Sequence, residues 1–179
     1  MNILILIGSP RNNGNTDLLA QAFAQGAEAK GHKADVIKVG EVNVKPCLGC
    51  NMCFEDNEMA CVQKDDMQEV YARMKNADML VVASPVYFYS ISAQLKAVID
   101  RCHNPIRDTF NIKKAALLLV GASSKPAIFD AALAEYKLCI DYFGIEDAGH
   151  VLVGGMKAKG DIRNSDALKK AYTMGESLE

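Results

Sequence analysis

No apolar run in this chain comes near the roughly 18 to 20 residues that a bilayer-crossing helix needs. Two of the longest, Ile3–Ile7 and Ala115–Val120, stop at five and six residues, so a membrane partner is not expected. An excess of one charge is missing too. Twenty Lys and Arg stand against 22 Asp and Glu, for a net charge of -2, and no broad basic field draws the protein to nucleic acid or anionic lipid. The opening Met1-Asn2 carries no basic region, and the apolar stretch behind it is too short for a secretory core. The expected home is therefore the cytoplasm. Thiols stay reduced there, so the six cysteines read as ligands, reactive thiols or core and not as a disulfide framework. Histidine is scarce: His32, His103 and His150 each fall beside an element end, with no nucleophile paired to them in sequence, and read as surface or loop residues. Repeats, low-complexity tracts and linkers are also lacking, and 179 residues, half of them apolar, are expected to form one domain over 1–179.

What the chain does have is alternation. Runs rich in Ile, Leu and Val at Asn2–Ile7, Ala34–Val39, Met79–Ala83, Ala115–Val120 and Val151–Val153 read as five short strands. The first, third and fourth are nearly unbroken apolar runs, as strands covered on both faces require. Between them the spacing i, i+3, i+4, i+7 recurs, at Leu19, Ala22, Phe23 and Gly26, at Met67, Val70, Tyr71 and Met74, and at Leu95, Val98, Ile99 and Cys102. Phe129 to Phe143 makes a fourth helix, and Leu168, Ala171 and Tyr172 a weaker fifth. Asp66 with Glu69 resembles a capping box, and Gly31 and Gly144 stop helices one and four. Right-handed crossovers on five parallel strands point to an α/β doubly wound sheet in the flavodoxin-like order 2-1-3-4-5, with helices on both faces. In that order the carboxyl ends of strands one and three open a crevice together.

Both loops at that crevice are unusual. Gly8-Ser9-Pro10-Arg11-Asn12-Asn13-Gly14-Asn15-Thr16 runs into the first helix, whose free amides and dipole favour a phosphate. Ser9, Asn13, Asn15 and Thr16 add side-chain donors, and Arg11 adds charge. The loop has no Lys-Ser/Thr pair, no three-glycine fingerprint and no cysteine nucleophile, so a phosphate there would be held and not cleaved. The alternative is a turn with Asn15 or Thr16 as helix N-cap. After strand three, Ser84-Pro85-Val86-Tyr87-Phe88-Tyr89-Ser90 offers aromatic faces and the amides of Val86 and Tyr87 to a flat ligand. The alternative is that these aromatics pack the next helix, starting near Ser92, onto the sheet. Together the loops describe a phosphorylated planar cofactor, and the same topology holds FMN at this point in flavodoxin. Gly121-Ala122-Ser123-Ser124 is placed to close the far side of the pocket.

Gly8–Thr16, Ser84–Phe88 and Ser92-Ala93-Gln94-Leu95-Lys96 resemble the NAD(P)H-dependent FMN reductase family of flavodoxin-like proteins, over about the first 120 residues. The resemblance implies that Ser9, Arg11, Asn13, Asn15 and Thr16 hold the FMN phosphate. Pro85, Val86, Tyr87 and Phe88 would line the ring, with Gly121 and Ser123 beyond it. It also implies NAD(P)H as co-substrate, a small-molecule electron donor and acceptor, and a homodimer or homotetramer. The acceptor stays open among quinones, nitroaromatics, free flavin and proteins. No acid or base side chain is demanded, because the cofactor carries the chemistry.

The connection from Gly40 to Lys64 is long for a structureless one and holds Cys47, Cys50, Cys53 and Cys61 in the spacing C-x2-C-x2-C-x7-C. Three thiols at intervals of three suit an iron-sulfur corner better than zinc, which takes two separated pairs. The stretch from Lys45 to Met67 also resembles the iron-sulfur flavoproteins, a branch of the same group, which implies a [4Fe-4S] cluster and an electron carrier. Glu55, Asp56 and Glu58 would set carboxylates beside that anionic group, and free or redox-active thiols are the alternative. A carrier usually presents a strongly charged docking face, which a net charge of -2 does little to supply. Cys102 and Cys139 read as core, and Gly154–Asp166 as a mobile surface loop.

Overall fold

Five strands, Asn2–Ile7 (β1), Lys33–Lys38 (β2), Met79–Pro85 (β3), Lys114–Val120 (β4) and Glu146–Val153 (β5), make one sheet in the order β2-β1-β3-β4-β5. Every pairing is parallel. The computed structural model describes residues 1–55 and 61–179. Its helices are Asn15–Ala29 (α1), Met52–Glu55 (α2), Met67–Lys75 (α3), Ala93–Arg101 (α4), Asp130–Phe143 (α5) and Ala167–Glu176 (α6), with 3-10 turns at Pro105–Thr109, Pro126–Phe129 and Asp161–Asn164. The expected order and strand number are those observed.

The unbroken apolar runs have a direct cause. Successive side chains of a strand point to opposite faces. Leu4 and Leu6 of β1, with Leu117 and Leu119 of β4, pack under α3, α4 and α5, while Ile3, Ile5 and Ile7, with Ala116 and Leu118, pack under α1 and α6. Each such Leu or Ile contributes about 1.5 to 3 kcal/mol by leaving water. The helix spacing follows the same logic, since α3 buries Met67, Val70, Tyr71 and Met74. α1 and α6 cross so closely that a Cβ on Gly26 would lie 2.0 Å from the Tyr172 carbonyl oxygen, and one on Gly175 2.2 Å from that of Phe23. That contact accounts for glycine inside two helices, where it otherwise costs about 1 kcal/mol.

Three expectations need correction. β5 begins at Glu146 and not Val151, because an edge strand with a register shift tolerates the polar Glu146, Asp147 and His150 that mask its apolar pattern. The α3 start is bonded by Asp65, whose Oδ1 accepts from Met67 N at 3.2 Å, while Asp66 accepts from Asn43 N and Glu69 pairs with Arg73. The segment 154–166 is more than a surface loop, since Ile162 within it is fully buried. The helix stops stand where expected, with Gly31 and the αL Gly144 following α1 and α5.

Candidate functional site

β1 and β3 lie side by side, yet the chain leaves β1 for α1 on one face and β3 for α4 on the other. Their carboxyl ends therefore open a crevice. Gly8 lets the two loops meet there: a Cβ on it would come within 2.7 Å of Ser92 Oγ at the α4 cap. Ser92 Oγ accepts from Leu95 N, so α4 starts where the sequence indicates.

The first loop is shaped from within. Arg11 N donates to Ser9 Oγ at 3.2 Å, and Gly14 N to the Arg11 carbonyl at 2.9 Å. Asn13 sits in the left-handed region, φ 55°, and its N–H donates to Asp17 Oδ2 at 2.7 Å. The N-cap of α1 is Gly14, so neither Asn15 nor Thr16 caps it, and no side chain does. The amides of Asn15, Thr16 and Asp17 consequently have no partner among the described residues, at the positive end of a 15-residue helix. Ser9 and Thr16 are buried beside this mouth and Arg11 is exposed at it. Asn15 is turned elsewhere: its Nδ2 donates to the Ala158 carbonyl and its Oδ1 accepts from Gly160 N and Ile162 N. Only its main-chain amide is left for an anion.

Two residues that sequence reasoning missed hold this loop. Asp17 is buried, with Oδ1 unpartnered among the described residues, and Lys38 Nζ lies 3.5 Å from its Oδ2 while donating to Asn12 Oδ1. A carboxylate three residues beyond the N-cap was the available signal for Asp17. Lys38 left none, because its role depends on β2 lying beside β1.

The second loop is a tight hairpin. Tyr87 N donates to the Ser90 carbonyl and Ser90 N to that of Tyr87, with Phe88 (φ 47°) and Tyr89 (φ 71°) at the tip. Two successive positive φ angles define a type I′ turn, normally filled by Asn-Gly. The expectation that Val86 and Tyr87 offer free amides is overturned: Val86 N bonds to the Val120 carbonyl at 2.7 Å, prolonging the β3–β4 ladder, and Tyr87 N closes the turn. The amides of Phe88 and Tyr89 are the ones without a partner among the described residues. Phe88 is 97% exposed, so it does not pack α4 onto the sheet. Ser90 Oγ donates to Glu135, which also pairs with Lys96, tying the hairpin to α5 and α4. Gly121 and Ser123 stand at the end of β4, their main chain bonded to Val153, Gly155 and Met156, with Ser123 Oγ accepting from Lys125 N.

The cysteine loop joins β2 to α3, and its ends bond Arg101 at the end of α4. Cys47 and Cys50 are exposed, Cys53 and Cys61 half-buried, and all are free thiols. Burial pushes the Cys53 thiol up, and the neighbouring Cys61, Cys47 and Cys50 push it further. Among the described residues no three His, Cys, Asp or Glu side chains stand as ligands of a single metal ion. A four-iron cluster places each thiolate on its own iron and so asks for a wider spacing than one ion does. Of the three carboxylates noted beside these thiols, Glu55 is exposed, while Asp56 and Glu58 lie outside the described residues.

Two contacts pin the loop. Phe54 of α2 stacks edge-on to His103, which stacks on Tyr142 of α5. Arg101, at the end of α4, donates through Nη1 to Asp65 Oδ2 at 2.5 Å and to the Lys45 carbonyl at 3.3 Å, with both charged side chains almost wholly buried. Burial works to raise the Asp65 carboxyl, but hydrogen bonds from Arg101, Lys45 and Met67 outweigh it and hold the group below the usual carboxylate range. Cys102 is core as expected, its thiol pushed up to about 12 by burial, whereas Cys139 is only half-buried. Cys139 borders a cavity of about 540 Å³ between α4 and α5, lined by Ile99, Phe110, Ile112 and Phe143. Its lining includes neither the loop of residues 8–17 nor the hairpin of residues 85–90.

A parallel sheet of this order, with an uncapped helix mouth and an aromatic hairpin at its switch point, defines a flavodoxin-like cofactor-binding protein. The chain belongs to the NADPH-dependent FMN reductase family, whose model matches residues 1–143. It is an oxidoreductase that works with FMN and a nicotinamide nucleotide. An iron-sulfur flavoprotein of Methanocaldococcus jannaschii is 38% identical, over 99% of this chain and 95% of that one. A putative NAD(P)H-dependent FMN-containing oxidoreductase of Bacillus subtilis is 25% identical, over 96% and 94%. Among solved structures, an NAD(P)H:quinone oxidoreductase from Methanothermobacter marburgensis superposes with a TM-score of 0.78 at 20% identity, covering 100% and 99% of the two chains. No helix among the described residues is long and apolar enough to cross a membrane.

Proposed function

We propose that this protein passes electrons from NAD(P)H to a small flat acceptor, through FMN seated across the ends of β1 and β3. The observation that carries the reading is the uncapped mouth of α1, with three unpartnered amides flanked by Ser9, Thr16 and Arg11. A phosphate meets the need of those donors. Bound FMN supplies the chemistry, taking hydride from the nicotinamide and giving electrons to the acceptor. The chain's own residues bind and orient. Arg11, Ser9, Thr16 and the amides of Asn15, Thr16 and Asp17 hold the phosphate, with Asn13 keeping the loop's turn. Pro85, Val86, Tyr87 and Phe88 line the ring, and the tip amides of Phe88 and Tyr89 are donors for its polar edge. Gly121 and Ser123 stand on the far side. The exposed tip leaves room for donor and acceptor to alternate, and the acceptor in this reading is a small one such as a quinone, nitroaromatic or free flavin. Protein purified without oxygen is expected to show flavin absorption and to oxidise NAD(P)H with a small acceptor. A colourless protein that stays so in excess FMN would refute the proposal.

A second reading is favoured by the four free thiols gathered in the one connection between β2 and α3. In it Cys47, Cys50, Cys53 and Cys61 hold a [4Fe-4S] cluster, and the protein relays single electrons between protein partners; the Methanocaldococcus relative is named an iron-sulfur flavoprotein. Iron and labile sulfide near four each per protomer would support it. Electron donation by a protein alone, with no NAD(P)H oxidation, would favour the carrier over the enzyme. In either case we propose a homodimer or homotetramer, consistent with the exposed Leu138 and Tyr142 and checked by light scattering.

A further inference from the structure

The segment from Gly154 to Arg163 is held at both ends. Gly155 N donates to the Ser123 carbonyl at 3.0 Å and Met156 N to that of Gly121 at 2.9 Å, which fixes its start on the carboxyl end of β4. Asn15 fixes the far end beside the mouth of α1: its Nδ2 donates to the Ala158 carbonyl at 2.8 Å, and its Oδ1 accepts from Gly160 N at 2.9 Å. Ile162 is buried on the α1 and α6 side of the core, and Asp161 Oδ2 accepts from Ala158 N at 2.7 Å. The segment therefore follows a set path along the α1 side of the crevice. It also lies beyond residues 1–143, the part that the family model matches.

That path carries charge. Lys157, Lys159 and Arg163 are exposed, and none is paired with a carboxylate among the described residues. Asp161, the one acid between Met156 and Arg163, is turned to the segment's own backbone. Lys157 and Lys159 flank the residue that Asn15 holds, and the main-chain amide of the same Asn15 belongs to the phosphate cradle. In a protein of net charge -2, one rim of the crevice is thus positive. FMN brings a single phosphate, whose needs the mouth of α1 meets with Ser9, Arg11 and Thr16. The other molecule that must enter is a nicotinamide nucleotide, which carries a pyrophosphate and, in NADPH, a 2′-phosphate at its adenosine end. Residues 157–163 offer that end unpaired cations, whereas Lys96, tied to the hairpin through Glu135, is already paired with Asp100 and Glu135.

We propose that Lys157 and Lys159 form a second anion site on the α1 side of the crevice, which takes the 2′-phosphate of NADPH and makes NADPH the preferred donor over NADH. The proposal rests on the reading that FMN and the nucleotide meet in this crevice. A lysine ammonium binds phosphate as a point charge, and a cationic residue near the 2′-position is how a dinucleotide site accommodates that group. Arg163 adds to the field that draws a polyanion in.

The test uses full-length protein loaded with FMN and combines calorimetric binding of NADP+ and NAD+ with steady-state kinetics on NADPH and NADH. Wild-type protein should bind NADP+ more tightly and use NADPH at the lower KM. Both lysines are exposed, so Lys157→Met combined with Lys159→Met should leave the fold intact. In that double variant the Kd of NADP+ and the KM of NADPH are expected to rise about tenfold or more, with NAD+ and NADH values held within about twofold and kcat and FMN affinity unchanged. Arginine at both positions should keep the wild-type values, and added salt should weaken NADP+ binding more in the wild type than in the double variant. NADP+ affinity unchanged in the double variant, or a loss equal for the two nucleotides, would overturn the proposal. So would a wild-type preference for NADH, or a loss of FMN affinity alone, which would assign the lysines to the flavin phosphate. A wild-type protein that binds FMN yet oxidises neither nucleotide would remove the underlying reading itself, and that failure shows without any variant.

Discussion

The loop from Gly8 to Gly14 leaves a central strand and enters a 15-residue helix, so the sheet and α1 hold its ends wherever its own contacts fall. The segment from Lys45 to Asp65 has no strand within its described part, and the buried clasp of Arg101 on Asp65 and Lys45 joins its two ends. The first region can lose a side chain and keep its shape, because hydrogen bonds of the ladder and helix remain. The second concentrates its order in a few buried polar groups, where loss of one partner strands the other. Ligand binding and stability should therefore respond differently in the two regions.

The largest expected effect is on the clasp. Arg101→Met should destabilise the protein by about 3 to 5 kcal/mol, since it leaves an uncompensated buried carboxylate. Thermal unfolding would show a fall of roughly 10 °C for a chain of this size. In the crevice, Arg11→Ala and Thr16→Val should each weaken FMN binding by about tenfold or more, the worth of one hydrogen bond to a charged group. Arg11→Ala should move stability by less than about 0.5 kcal/mol, as an exposed residue does. Loss of stability in Arg11→Ala comparable to Arg101→Met would erase the contrast.

Acid should separate the regions again. The folded carboxyl of Asp65 is held below its ordinary value, so its contribution is complete above the ordinary range near pH 4 and is lost as pH falls through the depressed folded value. Chemical unfolding followed from pH 7 downward should show that decline in the wild type and a shallower one in Asp65→Asn. The smallest effect is expected at the hairpin. Tyr89→Gly relieves a positive φ that costs about 1 to 2 kcal/mol but frees the unfolded chain, for a net gain of about 1 kcal/mol or less by thermal unfolding.

Legibility divides along the same line. The sheet order, the crevice and the stretch that becomes the uncapped helix mouth follow from apolar periodicity and from one glycine-rich loop, signals that are local in sequence. Asn15 and Asp17 show the first limit: residue type marks both as polar groups of that loop, yet only the fold reveals that Asn15 faces residues 158–162 and that Asp17 fixes Asn13. Val86 shows a second, because whether a ladder continues one residue past an apolar run depends on the neighbouring strand. Arg101 shows the third. It sits at the end of an amphipathic helix as an ordinary cation, and its partners lie 36 and 56 positions away, a distance over which pattern carries no information.

The central claim is that the mouth of α1 holds the phosphate of FMN. Titration of flavin-free protein with FMN and, in parallel, with riboflavin, which lacks only that phosphate, tests it most directly by flavin fluorescence. Several charge-assisted hydrogen bonds are at stake, so riboflavin should bind at least about a hundredfold more weakly. Equal affinities for the two would contradict the account.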